Sequence, residues 1–106
     1  MSKEKDEFPK EFPFWARIKI CKNRPTLVID ETEVINKKTK KLEPGFVHRE
    51  ATHTEKKDYE KLDPNPDPSD KMPMYLKRPS KIPRKMVKPI NKKLRIPKSL
   101  VEKYKK

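Results

Sequence analysis

From Phe14 to Cys21 apolar and polar positions alternate. Ala16, Ile18 and Ile20 fall on one side of an extended chain, and Trp15, Arg17 and Lys19 on the other. A period of two predicts a half-buried strand. The next apolar run, PTLVIDE, is short and β-branched, the pattern of a strand covered on both faces. The polar KNRP between the two runs predicts an antiparallel hairpin. TEVIN and GFVHREAT predict a second pair joined by KKTKKLEPG, in which Pro44-Gly45 reads as a turn.

Further along the pattern weakens. HTEKKDYEKL predicts one or two helical turns, with Thr54 as cap and Glu55 in the first turn. DPNPDPSD has prolines at alternate positions and reads as an exposed linker. MPMYLKRP predicts one more short strand, and IPKSLVEKYKK a short terminal helix with Ser99 and Glu102 at capping-box spacing. The expected fold is mainly β: a small SH3-like antiparallel barrel or curled sheet. Its expected organisation is a flexible leader over 1–12, a β-domain over 13–76 and a basic proline-rich arm over 77–106 ending in the helix.

Composition changes this picture in one respect. With 31% hydrophobic and 42% charged residues in 106, any core is small. The net charge is +13, yet residues 1–68 hold 15 basic and 14 acidic side chains, while residues 69–106 hold 14 and 2. The excess therefore sits in the last third. A single cysteine, Cys21, forms no internal disulfide and favours a reducing compartment. The charged start lacks the apolar core of a secretory signal, and no run approaches the ~20 apolar residues a membrane helix needs. The expected location is the cytoplasm, away from any membrane.

Residues 77–98 contain ten Lys or Arg, four Pro and no carboxylate. Proline holds such a chain open, so its cations lie along a line that a polyanion can match. The expected partner is nucleic acid, RNA ahead of DNA, bound through its backbone by Lys77, Arg78, Lys81, Arg84, Lys85, Lys88 and Arg95. Trp15, Arg17 and Lys19 extend that surface; Trp15 is most simply a core or interface residue, with base stacking as the sharper alternative. An acidic protein groove is the other class of partner, which would make the chain a non-catalytic inhibitor or scaffold from a mobile element. Apolar residues such as Ile82, Met86, Val87, Ile90, Leu94 and Ile96 interleave with the charge and predict that the arm also packs on the β-unit. So small a core is compatible with a homodimer.

Chemistry is carried by few residues. The lone glycine, Gly45, excludes glycine-rich phosphate loops. His48, Arg49, Glu50 and His53 have the makings of an acid–base ribonuclease, but on one strand His48 and Glu50 share a face that Arg49 and His53 do not. Cys21, His48 and His53 lack the spacing of a zinc site, so no metal and no cofactor is expected. FWARIKICKNRPTLVID resembles the opening of MazF/PemK-type toxins, small barrels that cut RNA, with a Trp in the first strand followed by an Arg-Pro-apolar strand. The resemblance covers residues 13–54. It implies a metal-independent endoribonuclease with Arg24 as the catalytic arginine and Thr52 as the assisting hydroxyl.

Overall fold

The computed structural model describes residues 8–20 and 24–105, so Cys21 and the first seven residues of the leader lie outside the described residues. The alternation after Phe14 produces β1 (Phe14–Ile18), which pairs antiparallel with β2 (Pro25–Ile35). β2 in turn pairs with β3 (Leu42–Thr52). The two runs read as separate strands, PTLVIDE and TEVIN, are one strand of 11 residues. A bulge between Val28 and Asp30 accommodates the break in their alternation. The bend turns around Asn36–Lys41. Gly45 lies within β3, opposite Thr32. Its neighbour Pro44 is also a strand residue, so the turn expected at Pro44-Gly45 does not form.

Two short strands, β4 (Glu60–Leu62) and β5 (Met74–Leu76), extend the sheet beyond β3. The helical turns expected around Thr54 are absent, and Tyr59 leads directly into β4. The largest departure concerns the basic stretch. Instead of standing off as an extended arm, it supplies β6 (Ser80–Pro83) on the β3 edge and β7 (Val87–Pro89) on the β1 edge. A single 3₁₀ turn, Arg84–Met86, joins them. Pro83 and Pro89 sit on edge strands, where a missing N–H is tolerated. The result is one open antiparallel sheet of seven strands, curled enough that three residues carry the chain from one edge to the other.

Both faces of β1–β2–β3 are covered. On one side Phe14, Ala16, Val28, Phe46 and Val87 form a cluster onto which Phe8 and Phe12 pack. This end of the expected loose leader is therefore anchored, through a ring group that includes Phe8 against Phe46 at 5.3 Å. On the other side Trp15, Leu27, Ile29, Ala51, Leu62, Met74, Leu76 and Leu100 form the main core. Burying a Leu or Val side chain contributes about 1.5–3 kcal/mol, and Leu27, Val28, Leu76 and Val87 are fully buried. The strand read as half-buried is covered on both sides because the basic stretch and the terminal helix fold back over it.

The helix α1 (Lys98–Tyr104) docks through Leu100. Ser99 is inside it and caps nothing; Pro97 occupies the N-cap without a side-chain bond. Proline just before a helix suits the fixed φ and the absent N–H of the entry. Packing of Leu100 and Tyr104, rather than capping, holds the seven-residue helix.

Candidate nucleic-acid interface

Pairing of β1 with β7 sets Arg17 directly opposite Lys88. Directly opposed side chains leave the sheet on the same face, and like charges so placed repel. Neither residue has an ion-pair partner among the described residues. Beside them opens a cleft of about 420 Å³ lined by Arg17, Ile90, Asn91 and Lys92. Among the described residues its lining holds no carboxylate. Lys92 reaches past the cleft to Asp67, whose carboxyl is held down to about 2 by the hydrogen bond from Lys92 and those from Ser69. Lys19 follows β1 with its side chain exposed, and its N–H donates to the Met86 carbonyl at 2.8 Å.

The other expected phosphate ligands divide into free and engaged cations. Lys81 faces solvent opposite Val47 with no ion pair among the described residues. Arg95 is exposed, and its backbone is fixed: its N–H donates to the Pro66 carbonyl, and its carbonyl accepts the Trp15 indole N–H at 3.0 Å. Lys77 pairs with Glu50 at 3.2 Å, Arg78 with Asp58 at 2.9 Å, and Lys85 with Glu43 at 3.5 Å. These are exposed or half-exposed pairs, each of the kind that contributes only about 0–1 kcal/mol and exchanges readily for another anion. Arg84 lies over the rings of Phe8 and Phe46, at 5.2 and 5.4 Å. Trp15 is a core residue, 7% exposed, and offers no face to a stacking base. Its aromatic bulk is needed beneath the cationic edge.

A second group gathers at the opposite face. Thr26, His48, Glu50 and Ser80 meet where β2, β3 and β6 run side by side. Thr26 Oγ1 lies 2.6 Å from His48 Nδ1, and Ser80 Oγ 3.1 Å from His48 Nε2. A neutral ring donates through one nitrogen and accepts through the other, so both hydroxyls are satisfied. Burial lowers the His48 pKa, and nearby Glu50 opposes the shift only in part. Glu50 also takes Arg24, at 3.9 Å, and Lys77. Carrying the β2–β3 register outward from Thr26 opposite Glu50 sets Arg24 opposite Thr52. Sequence reasoning missed Thr26 and Ser80, since nothing local marks a hydroxyl that pairs across strands.

Arg49 and His53 stand apart from His48 and Glu50, as strand alternation requires. Arg49 is bonded to Glu60, Tyr104 and the Lys77 carbonyl, and His53 to Asp70. His48 and His53 are bonded to different partners, and Cys21, the third residue weighed for zinc, lies outside the described residues. No helix among the described residues is long and apolar enough to cross a membrane.

The lowered His48 pKa has a measurable consequence. At pH below the ordinary histidine value the unfolded chain binds a proton that the folded chain resists, so stability falls as pH drops through about 6.5. Urea midpoints measured between about pH 7.5 and 5 therefore decrease in the native protein. In His48→Gln that pH-dependent loss is reduced; an undiminished loss assigns it elsewhere.

Comparison of the chain with protein families, with curated proteins and with solved structures finds no significant match.

Proposed function

We propose that this chain is a small SH3-like module that binds nucleic acid through the phosphate backbone. The order β7-β1-β2-β3-β6, with one 3₁₀ turn crossing between the edges, supports the barrel-like description. The binding reading rests on one observation, the Arg17–Lys88 pair with no counterion among the described residues, Arg17 also lining a cleft that has no carboxylate among its described lining residues. A fold gains nothing from opposing two cations on an edge; an anion between them turns the repulsion into a binding contribution. Lys19, Lys81 and Arg95 add charge that has no ion pair among the described residues, and Lys77, Arg78 and Lys85 are held by carboxylates that phosphates can replace.

The test is fluorescence anisotropy with single-stranded RNA and duplex DNA across a salt series. Arg17→Ala with Lys88→Ala weakens binding at least about tenfold and lowers the salt slope by roughly 0.7–0.9 for each phosphate no longer neutralised. The thermal midpoint stays level or rises, because repulsion is relieved. Unchanged affinity in the double variant, or binding indifferent to salt, overturns the reading.

A second reading has its own observation: Arg24 lies 3.9 Å from Glu50, and extending the β2–β3 register two residues past Thr26–Glu50 would set Arg24 opposite Thr52, so that a phosphate-binding cation, a carboxylate and a hydroxyl would share one sheet end. This supports a metal-independent endoribonuclease. RNA cleavage in EDTA that disappears in Arg24→Ala supports it, and intact RNA after prolonged incubation removes it.

A further inference from the structure

β1 reaches β2 only at Pro25–Val28, and β6 reaches β3 only at Gly45–His48. Beyond those points Glu33–Ile35 and Leu42–Pro44 continue as paired strands that end in the turn around Asn36–Lys41. At the far end, where no third strand flanks them, Ile35 and Leu42 are paired across the ribbon and are 66% and 61% exposed. A two-stranded ribbon is marginal by itself in water, and this one carries an exposed aliphatic pair at its end. Immediately outward come Lys37, Lys38, Lys40 and Lys41, all exposed and none in an ion pair among the described residues. Glu43, beside Leu42 on the ribbon, is engaged by Asn36 at 3.0 Å and Lys85 at 3.5 Å.

Asn36 fixes the turn that carries those lysines. Asn36 accepts the N–H groups of Lys38 and Thr39 on its side chain and that of Lys40 on its carbonyl, and donates its own N–H to the Lys41 carbonyl. Lys40 has φ of 61°, a left-handed conformation that ordinarily falls to glycine or asparagine. A lysine at this position places charge where the backbone disfavours a side chain.

We infer that this ribbon tip is a second nucleic-acid contact, entering the major groove of B-form duplex DNA. There the four leading lysines meet base-edge acceptors and phosphates within the groove, while Ile35 and Leu42, one step behind the tip, pack against the sugars of its walls. The inference rests on the backbone-binding reading and specifies the nucleic acid. Strands about 5 Å apart fit a groove about 12 Å wide. The A-form major groove is too deep and narrow to admit them. The order of the tip also selects against a lipid surface. A bilayer takes apolar groups deepest with lysines outside, whereas here the lysines lead.

Three forms of the full chain distinguish the outcomes: Lys37→Gln/Lys38→Gln/Lys41→Gln, Ile35→Ser/Leu42→Ser, and the Arg17→Ala/Lys88→Ala variant. Because the substituted tip residues are exposed, their circular dichroism and thermal midpoint match the native protein and serve as the folding control. With a short B-form DNA duplex the lysine variant binds at least about tenfold more weakly, and its salt slope is lower by about 0.9 for each phosphate left without its lysine. The Ile35/Leu42 variant binds more weakly at every salt concentration with the slope unchanged. An RNA duplex is insensitive to both. Tip variants that bind the DNA duplex like the native protein, while the Arg17/Lys88 variant does not, overturn the tip assignment and leave the backbone reading standing. A native protein that binds neither DNA nor RNA overturns both. Tip-dependent binding to phosphatidylserine-containing vesicles without binding to DNA assigns the tip to lipid instead.

Discussion

Arg49→Met lowers stability by about 2–3 kcal/mol, and Arg49→Lys recovers little of it. The guanidinium, 7% exposed, is spent on three partners from three parts of the chain. Its Nε donates to the Lys77 carbonyl at 2.8 Å, and its Nη1 to Glu60 and to the Tyr104 hydroxyl, each at 2.8 Å. These bonds tie β3 to β4, to the segment leaving β5 and to α1. Bonds from a charged donor contribute more than neutral ones, about 1.5–3 kcal/mol for such a group. Because Glu60 is 40% exposed, its carboxylate is rehydrated when the arginine is lost, which keeps the cost below that of a fully buried pair. Lysine cannot reproduce the fork. Tyr104→Phe costs about 1 kcal/mol, and the two substitutions are non-additive because they share one bond. Urea unfolding of the single and double variants measures this. Native stability in Arg49→Lys would show that charge alone, and not the directed bonds, is what matters.

The strands that are legible in the sequence are those whose pattern is decided locally. The alternation of β1, the β-branched run of β2 and the MPMYL strand are visible because each strand's own side chains decide which face is apolar. What is not legible depends on partners distant in sequence. PTLVIDE and TEVIN look like two strands because a bulge breaks the period, and bulges are fixed by the neighbouring strand. The basic stretch looks like an arm because proline and charge dominate it. Yet Val87, at 0% exposed, and Ile82 are its strand signal. Proline at an edge denies only an outward bond, so Pro83 and Pro89 do not prevent pairing. The candidate site follows the same division. That basic residues concentrate in one part of the chain is readable from the charge distribution. That Arg17 opposes Lys88, and that Trp15 is enclosed, depends on β7 returning to β1.

Gly45→Ala destabilises the fold by about 1–3 kcal/mol, and the damage is directed at β6. The glycine backbone itself is ordinary; no described glycine has positive φ. The constraint is space. A Cβ at this position meets the Ile82 carbonyl oxygen at 2.8 Å and Val34 Cγ1 at 3.0 Å. Val34 can turn aside, but a backbone carbonyl moves only if its strand moves, and overpacking of this kind carries the cost stated. Ile82 sits in the four-residue β6, whose register with β3 also aligns Ser80 with His48 and Lys81 with Val47. Lifting β6 therefore weakens the Ser80–His48 bond and displaces Lys81 and the 3₁₀ turn that carries Arg84 and Lys85. Hydrogen exchange is the measurement: the β6 amides lose protection in Gly45→Ala while those of β1 and β2 keep theirs relative to the global stability. Uniform loss across all strands would show that β6 opens only with the whole sheet. Native protection at β6 would show that the close approach is relieved without cost. Backbone proximity at one position thus decides whether the cations of the basic stretch stay ordered on the sheet.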